Sequence, residues 1–124
     1  MRFLDTFLLG LAVAGTAVLA TIDLGQIENS AGQPLVNVAW IGGDNPCGKK
    51  EYTAITASGE SPCGVRFTLS NGYTYYERNC GISALDIWNN DGSFNSHCQT
   101  KSWRCQLNSG TYIRQTWTCY RGYR

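Results

Sequence analysis

Asn71-Gly72, inside the stretch VRFTLSNGYTYYER, constrains this chain more than any other feature. Asn-Gly favours the two positive-φ positions of a type I′ turn, and β-branched and aromatic residues flank it on both sides, so the segment is predicted to be a β-hairpin. A two-residue loop sets Leu69 opposite Thr74, Phe67 opposite Tyr76 and Arg66 opposite Glu77. On that register Val65, Phe67, Leu69 and Tyr76 form a core face. Arg66, Thr68, Tyr73, Tyr75 and Glu77 form a wet one.

The same grammar recurs along the chain. Ile22 to Ile27, Leu35 to Ile41 and Lys50 to Ala57 read as strands separated by Gly/Pro/Asn-rich turns. Ala84 to Trp88 and Ser93 to Cys98 flank Asn89-Asn90-Asp91-Gly92, which puts Leu85, Ile87, Phe94 and Cys98 on one face and Asp86, Trp88, Asn95 and His97 on the other. Ser102 to Leu107 and Thr111 to Cys119 flank Asn108-Ser109-Gly110, and a three-residue loop with glycine in the left-handed position sets Cys105 opposite Ile113. Trp103, Cys105, Leu107, Ile113, Trp117 and Cys119 then share a face, with Arg104, Gln106, Tyr112 and Arg114 on the outer one. After residue 20 no segment sustains helical periodicity. The fold class predicted is all-β, a small disulfide-stapled antiparallel β-sandwich or barrel of eight to nine short strands.

Residues 1–20 are read as a signal peptide: Arg2, an apolar run from Phe7 to Val18, then Val18-Leu19-Ala20 as a cleavage motif. That run is shorter than a membrane-spanning helix requires, so no span is expected after its removal. Residues 21–124 form a single domain. Without Arg2 and Asp5, the ten basic and nine acidic residues become nine and eight. That near-neutrality argues against general nucleic-acid binding.

All six cysteines, Cys47, Cys63, Cys80, Cys98, Cys105 and Cys119, fall in the domain and are expected to form three disulfides. Proximity of strand-entry loops and hairpin neighbours suggests Cys47 with Cys63, Cys98 with Cys105, and Cys80 with Cys119. Zinc is disfavoured because there is no C-x2-C pair and one histidine only, His97. The Asn89 to Ser93 turn loosely resembles a calcium loop, but a plain turn accounts for it. No metal or other cofactor is expected.

Asp86 and His97 fall opposite or diagonal to one another, an arrangement that suits acid/base chemistry but equally an ordinary cross-strand polar pair. With no second histidine and no nucleophile motif, the chain reads as a non-enzyme. Two binding surfaces are predicted instead. One is the exposed pair Tyr73 and Tyr75, suited to stacking on sugars or to protein contact. The other is Arg104, Tyr112 and Arg114, where directly opposed arginines repel and call for an anionic partner; Tyr120, Arg121, Tyr123 and Arg124 extend it.

The leader, the short mature chain, the six cysteines and the wealth of Gly, Ser, Thr, Asn and Tyr together resemble the small secreted cysteine-rich proteins of plant-associated fungi. That resemblance implies a secreted, monomeric effector or elicitor that binds a host protein or cell-surface component, outside the host cell or after entry. An antimicrobial toxin, a carbohydrate-binding module for cell-wall polysaccharide and a small ribonuclease are the alternatives.

Overall fold

The computed structural model describes residues 21–82 and 84–121. The predicted signal peptide, Tyr123 and Arg124 lie outside them. Eight antiparallel strands follow one another: β1 (Ile22–Asn29), β2 (Pro34–Ile41), β3 (Thr53–Ala57), β4 (Phe67–Thr68), β5 (Thr74–Arg78), β6 (Asp86–Asn89), β7 (Phe94–Asn108) and β8 (Thr111–Tyr120). They form one sheet in the order β3-β2-β1-β8-β7-β6-β5-β4. The sheet curls until its two edges meet, where the Thr53 hydroxyl on β3 donates to the Thr68 carbonyl on β4 at 2.8 Å. The result is a nearly closed barrel, which leaves little free strand edge.

The barrel interior holds Ile22, Leu24, Ala39, Phe67, Leu69, Tyr75, Leu85, Ile87, Cys98 and Cys119. A second cluster lies on the outside of β1, β2, β7 and β8, where Val38, Trp40 and Ile113 are covered by Cys47 and Tyr52 from the connection between β2 and β3. Alternation along β2 serves both, since Val38 and Trp40 face outward while Ala39 and Ile41 face the barrel. One strand thereby feeds two cores.

The central hairpin forms with a register one residue different from the expected one. Phe67 pairs with Tyr75 and Thr68 with Thr74. The Leu69 N–H donates to the Tyr73 carbonyl at 3.1 Å and the Gly72 N–H to the Leu69 carbonyl at 2.9 Å, so the loop is Ser70-Asn71-Gly72. Gly72 alone of the Asn-Gly pair has positive φ, at 85°, whereas a type I′ turn needs both. Asn71 instead accepts from the Tyr73 N–H at 3.1 Å and donates to the Tyr75 hydroxyl at 2.9 Å. Because side chains alternate, a one-residue shift exchanges the faces of the returning strand. Tyr75 and Glu77 turn inward, and Tyr76 turns outward under the Arg66 guanidinium, 3.8 Å from its ring centre.

Ser93 to Cys98 and Ser102 to Leu107 merge into the single long strand β7, with register shifts between Thr100 and Trp103. An irregularity between Leu24 and Gly25 likewise interrupts the β1–β8 pairing. These bulges exchange the faces along β7 and β8. Cys98, Trp117 and Cys119 therefore belong to the barrel interior, while Cys105, Leu107 and Ile113 belong to the outer cluster. Trp103, expected in the core, keeps its place on the Cys105 face but lies past the covered patch and is exposed. Phe94, also expected inside, is displaced outward by the shift between Ile87 and Trp88, and Asn95 is buried in its stead.

All six cysteines are paired, as Cys47–Cys105, Cys63–Cys80 and Cys98–Cys119. Each differs from the expected pairing. Cys98 and Cys119 are register partners on adjacent strands, and Cys47 fastens the β2–β3 connection over the outer cluster to β7.

Candidate functional site

Arg104 and Arg114 are cross-strand partners on β7 and β8, as the sequence predicts. The anion that relieves their repulsion comes from the chain itself. Glu28, at the end of β1 and only 3% exposed, accepts from Arg104 Nε through Oε2 at 2.6 Å and from Arg114 Nε through Oε1 at 3.1 Å. The Arg104 guanidinium also lies over the Tyr112 ring, 3.9 Å from its centre. An external anion is thus not needed to explain the arginine pair, and the argument for a binding surface there loses its premise. Burial alone would raise the Glu28 pKa, but the hydrogen bonds and charges of Arg114 and Arg104 outweigh it and hold the carboxyl below its ordinary value.

A folded-state pKa below the unfolded one means that this ion triad stabilises the fold above the ordinary glutamate pKa near 4.5, and that its contribution is lost as pH falls through the folded value. The arginines are partly solvent-exposed, which screens the interaction. Glu28→Gln is expected to cost about 1–2 kcal/mol at pH 7 in urea unfolding, with the gap to the parent closing in acid. A gap that stays constant down to pH 3 contradicts the triad.

The predicted tyrosine pair is divided by the register shift. Tyr73 is 46% exposed, but Tyr75 is 2% exposed and belongs to the barrel interior. Tyr73 nevertheless borders a groove of about 640 Å³ at one end of the barrel, where the β4–β5 turn, the β6–β7 turn and the end of β8 come together. Phe94, 37% exposed, stands with it, and Asn89, Asn90, Asp91, Ser93 and Arg121 supply polar groups.

Local chemistry fixes this rim. The Asn89 N–H donates to the Ser93 carbonyl at 2.8 Å, and the Asn90 N–H to the Thr74 carbonyl at 3.0 Å, which ties the β6–β7 turn to β5. Asp91 Oδ1 accepts from the Ser93 hydroxyl at 2.6 Å and from its N–H at 2.9 Å. Those two bonds hold the Asp91 carboxyl below its ordinary pKa, so the groove carries a carboxylate at neutral pH. Arg66 Nε donates to Asn90 Oδ1 at 3.2 Å from the neighbouring surface. The groove therefore offers aromatic faces beside preset donors and acceptors of both charges.

Asp86 and His97 meet as predicted, with Oδ1 and Nδ1 2.7 Å apart across β6 and β7. The Phe94 ring packs on the imidazole at 4.6 Å between centres and on Trp88 edge-on at 5.5 Å. Arg78 covers the Trp88 ring at 4.6 Å. The pair so placed buttresses Phe94, one of the two exposed groove aromatics.

Glu28, Phe94 and the buried Glu77 are the residues of interest that sequence reasoning did not select. The signal for Phe94 was the loop length after Asn89, since one added residue moves it outward. Among the described residues no cluster of three or more His, Cys, Asp or Glu side chains is placed to hold a metal ion, and no helix is long and apolar enough to cross a membrane. Comparison of the chain with protein-family models, with curated proteins and with solved structures finds no match.

Proposed function

We propose that the protein is a secreted, non-enzymatic binding protein that acts at a plant-host interface, and that the Tyr73–Phe94 groove takes a cell-wall glycan. The observation that carries this reading is the pairing of two exposed aromatic rings with amide, carboxylate and guanidinium groups in one groove of about 640 Å³. Sugars present C–H faces that pack on aromatic rings and a rim of hydroxyls that require donors and acceptors together. The stapled barrel suits such a role, because turns on a cross-linked scaffold hold their side chains with little motion and lose little entropy on binding. A plant-associated origin rests on the sequence resemblance, and the groove adds to it a site of fitting chemistry.

The test is retention of the mature chain on insoluble chitin, cellulose and xylan. Tyr73→Ala and Phe94→Ala are made at exposed positions, and circular dichroism of each variant checks that the fold is kept. Each is expected to weaken retention about tenfold, the equivalent of about 1.4 kcal/mol. Parent protein that passes through all three matrices unretarded contradicts a glycan ligand.

A further inference from the structure

Among the described residues, Glu77 is the one titratable side chain lining a second cavity, of about 260 Å³, bounded by β1, β2 and β8 on one side and by β5 and the connection after it on the other. It is 5% exposed. Among the described residues no N–H or O–H donates to its carboxyl. Its close polar contact is Cys80 Sγ at 3.5 Å, a disulfide sulfur with no proton to give. The neighbouring donors are directed elsewhere: the Gln26 amide to Asn37 Oδ1 at 3.0 Å, the Asn37 amide to Thr56 Oγ1 at 3.0 Å, and the Thr116 hydroxyl to the Leu24 carbonyl at 3.4 Å. The rest of the wall is apolar, including Leu24, Leu85 and Trp117. A buried carboxyl left without a donor is costly, and such costs are characteristic of sites that a ligand completes.

We propose that this cavity binds a primary ammonium group carried on a short alkyl stem, with the ammonium on the Glu77 carboxylate and the stem against the apolar wall. Among the described residues the lining holds a carboxyl and no lysine, arginine or histidine, which favours a cationic ligand over an acidic one. A free alkylamine and the lysine side chain of a partner protein share this chemistry.

Burial pushes the Glu77 pKa up to about 7. Charged groups on the surrounding elements face other partners: Arg78 lies over Trp88, Asp86 bonds His97, Arg66 lies over Tyr76, Asp23 bonds Thr118, and Glu28 bonds Arg104 and Arg114. Glu77 therefore governs the pH response. An alkylammonium stays charged throughout neutral pH, so its affinity follows the ionised fraction of Glu77 and rises about tenfold from pH 6 to pH 8.

The experiment is calorimetric titration with n-butylammonium, with n-butanol as its neutral isostere and Nα-acetyl-lysine N-methylamide as the side-chain mimic. Binding of either ammonium but not of n-butanol, strengthening with pH and lost in Glu77→Gln, is the expected result. The tighter of the two ammonium probes identifies the source. Equal binding of n-butanol, no binding of either ammonium, or ammonium affinity flat between pH 6 and 8 overturns the proposal, and those outcomes need no variant to fold. Glycan retention by the Tyr73 groove is untouched by any of them.

Discussion

Tyr75→Ala is expected to destabilise the protein by about 3–5 kcal/mol, as much as Phe67→Ala, while Tyr76→Ala costs about 0.5–1 kcal/mol. The two buried rings lie 6.1 Å apart in the barrel interior, and removing either leaves a cavity that a cross-linked barrel cannot collapse to fill. Tyr75 also takes a hydrogen bond from Asn71 at 2.9 Å, so Tyr75→Phe should lose about 1 kcal/mol and loosen the turn. Tyr76 stands outside, where its loss removes a surface contact with Arg66. Urea unfolding of the variants decides the matter. A stable Tyr75→Ala beside an unfolded Tyr76→Ala would restore the two-residue turn and shift β5 by one position.

Removal of the Cys47–Cys105 bridge, by Cys47→Ser with Cys105→Ser, is expected to be the most damaging disulfide loss. The bridge spans 58 residues, against 17 for Cys63–Cys80 and 21 for Cys98–Cys119. Chain entropy alone makes that difference roughly 4 kcal/mol against roughly 3. Position adds to it. The β2–β3 connection is held locally, with the Asn45 N–H on Glu51 Oε1 at 2.7 Å and the Gly48 N–H on Asn45 Oδ1 at 2.8 Å, but its attachment to β7 is covalent through Cys47. Once freed, it uncovers Val38, Trp40 and Ile113. Amide exchange in residues 44–52 should accelerate in that variant. A variant lacking Cys63–Cys80 that proves less stable than the one lacking Cys47–Cys105 would contradict this ranking.

The legibility of the fold differs from one hairpin to the next for identifiable reasons. The pairing of Cys105 with Ile113 and of Arg104 with Arg114 was readable, although the turn closes differently from the expected three-residue loop: Asn108 pairs with Thr111 around Ser109-Gly110, and a register shift between Gln106 and Asn108 restores the expected pairing. The pairing of Asp86 with His97 was readable within a choice of neighbouring positions. The central hairpin was misread by one residue, since Asn-Gly serves a two-residue turn and a three-residue loop alike, and what separates them is the bond from Asn71 to Tyr75. Bulges leave no mark in the apolar pattern, so Trp103 and Phe94 were assigned to a core they do not reach.

Long-range partners were not readable at all. Glu28 is 76 and 86 residues from the two arginines it joins, and it meets them only because β1 and β8 become neighbours. The Cys47–Cys105 bridge follows from that same strand order, whereas Cys63–Cys80 flanks one hairpin and Cys98–Cys119 joins the two strands of another. Tyr73 was selected for the right physical reason, exposure beside polar groups, but the second exposed ring at the groove is Phe94, since Tyr75 also lines it yet is only 2% exposed.

The central claim, that the groove at the Tyr73 end of the barrel is the contact surface, is tested most directly by nuclear magnetic resonance. Amide shifts of the folded mature chain would be followed during titration with soluble cell-wall oligosaccharides. The account predicts perturbations concentrated in residues 72–75, 89–94 and 121, with those of the arginine pair at 104 and 114 unmoved. Saturable shifts centred on residues 104–114, with the groove silent, would contradict it.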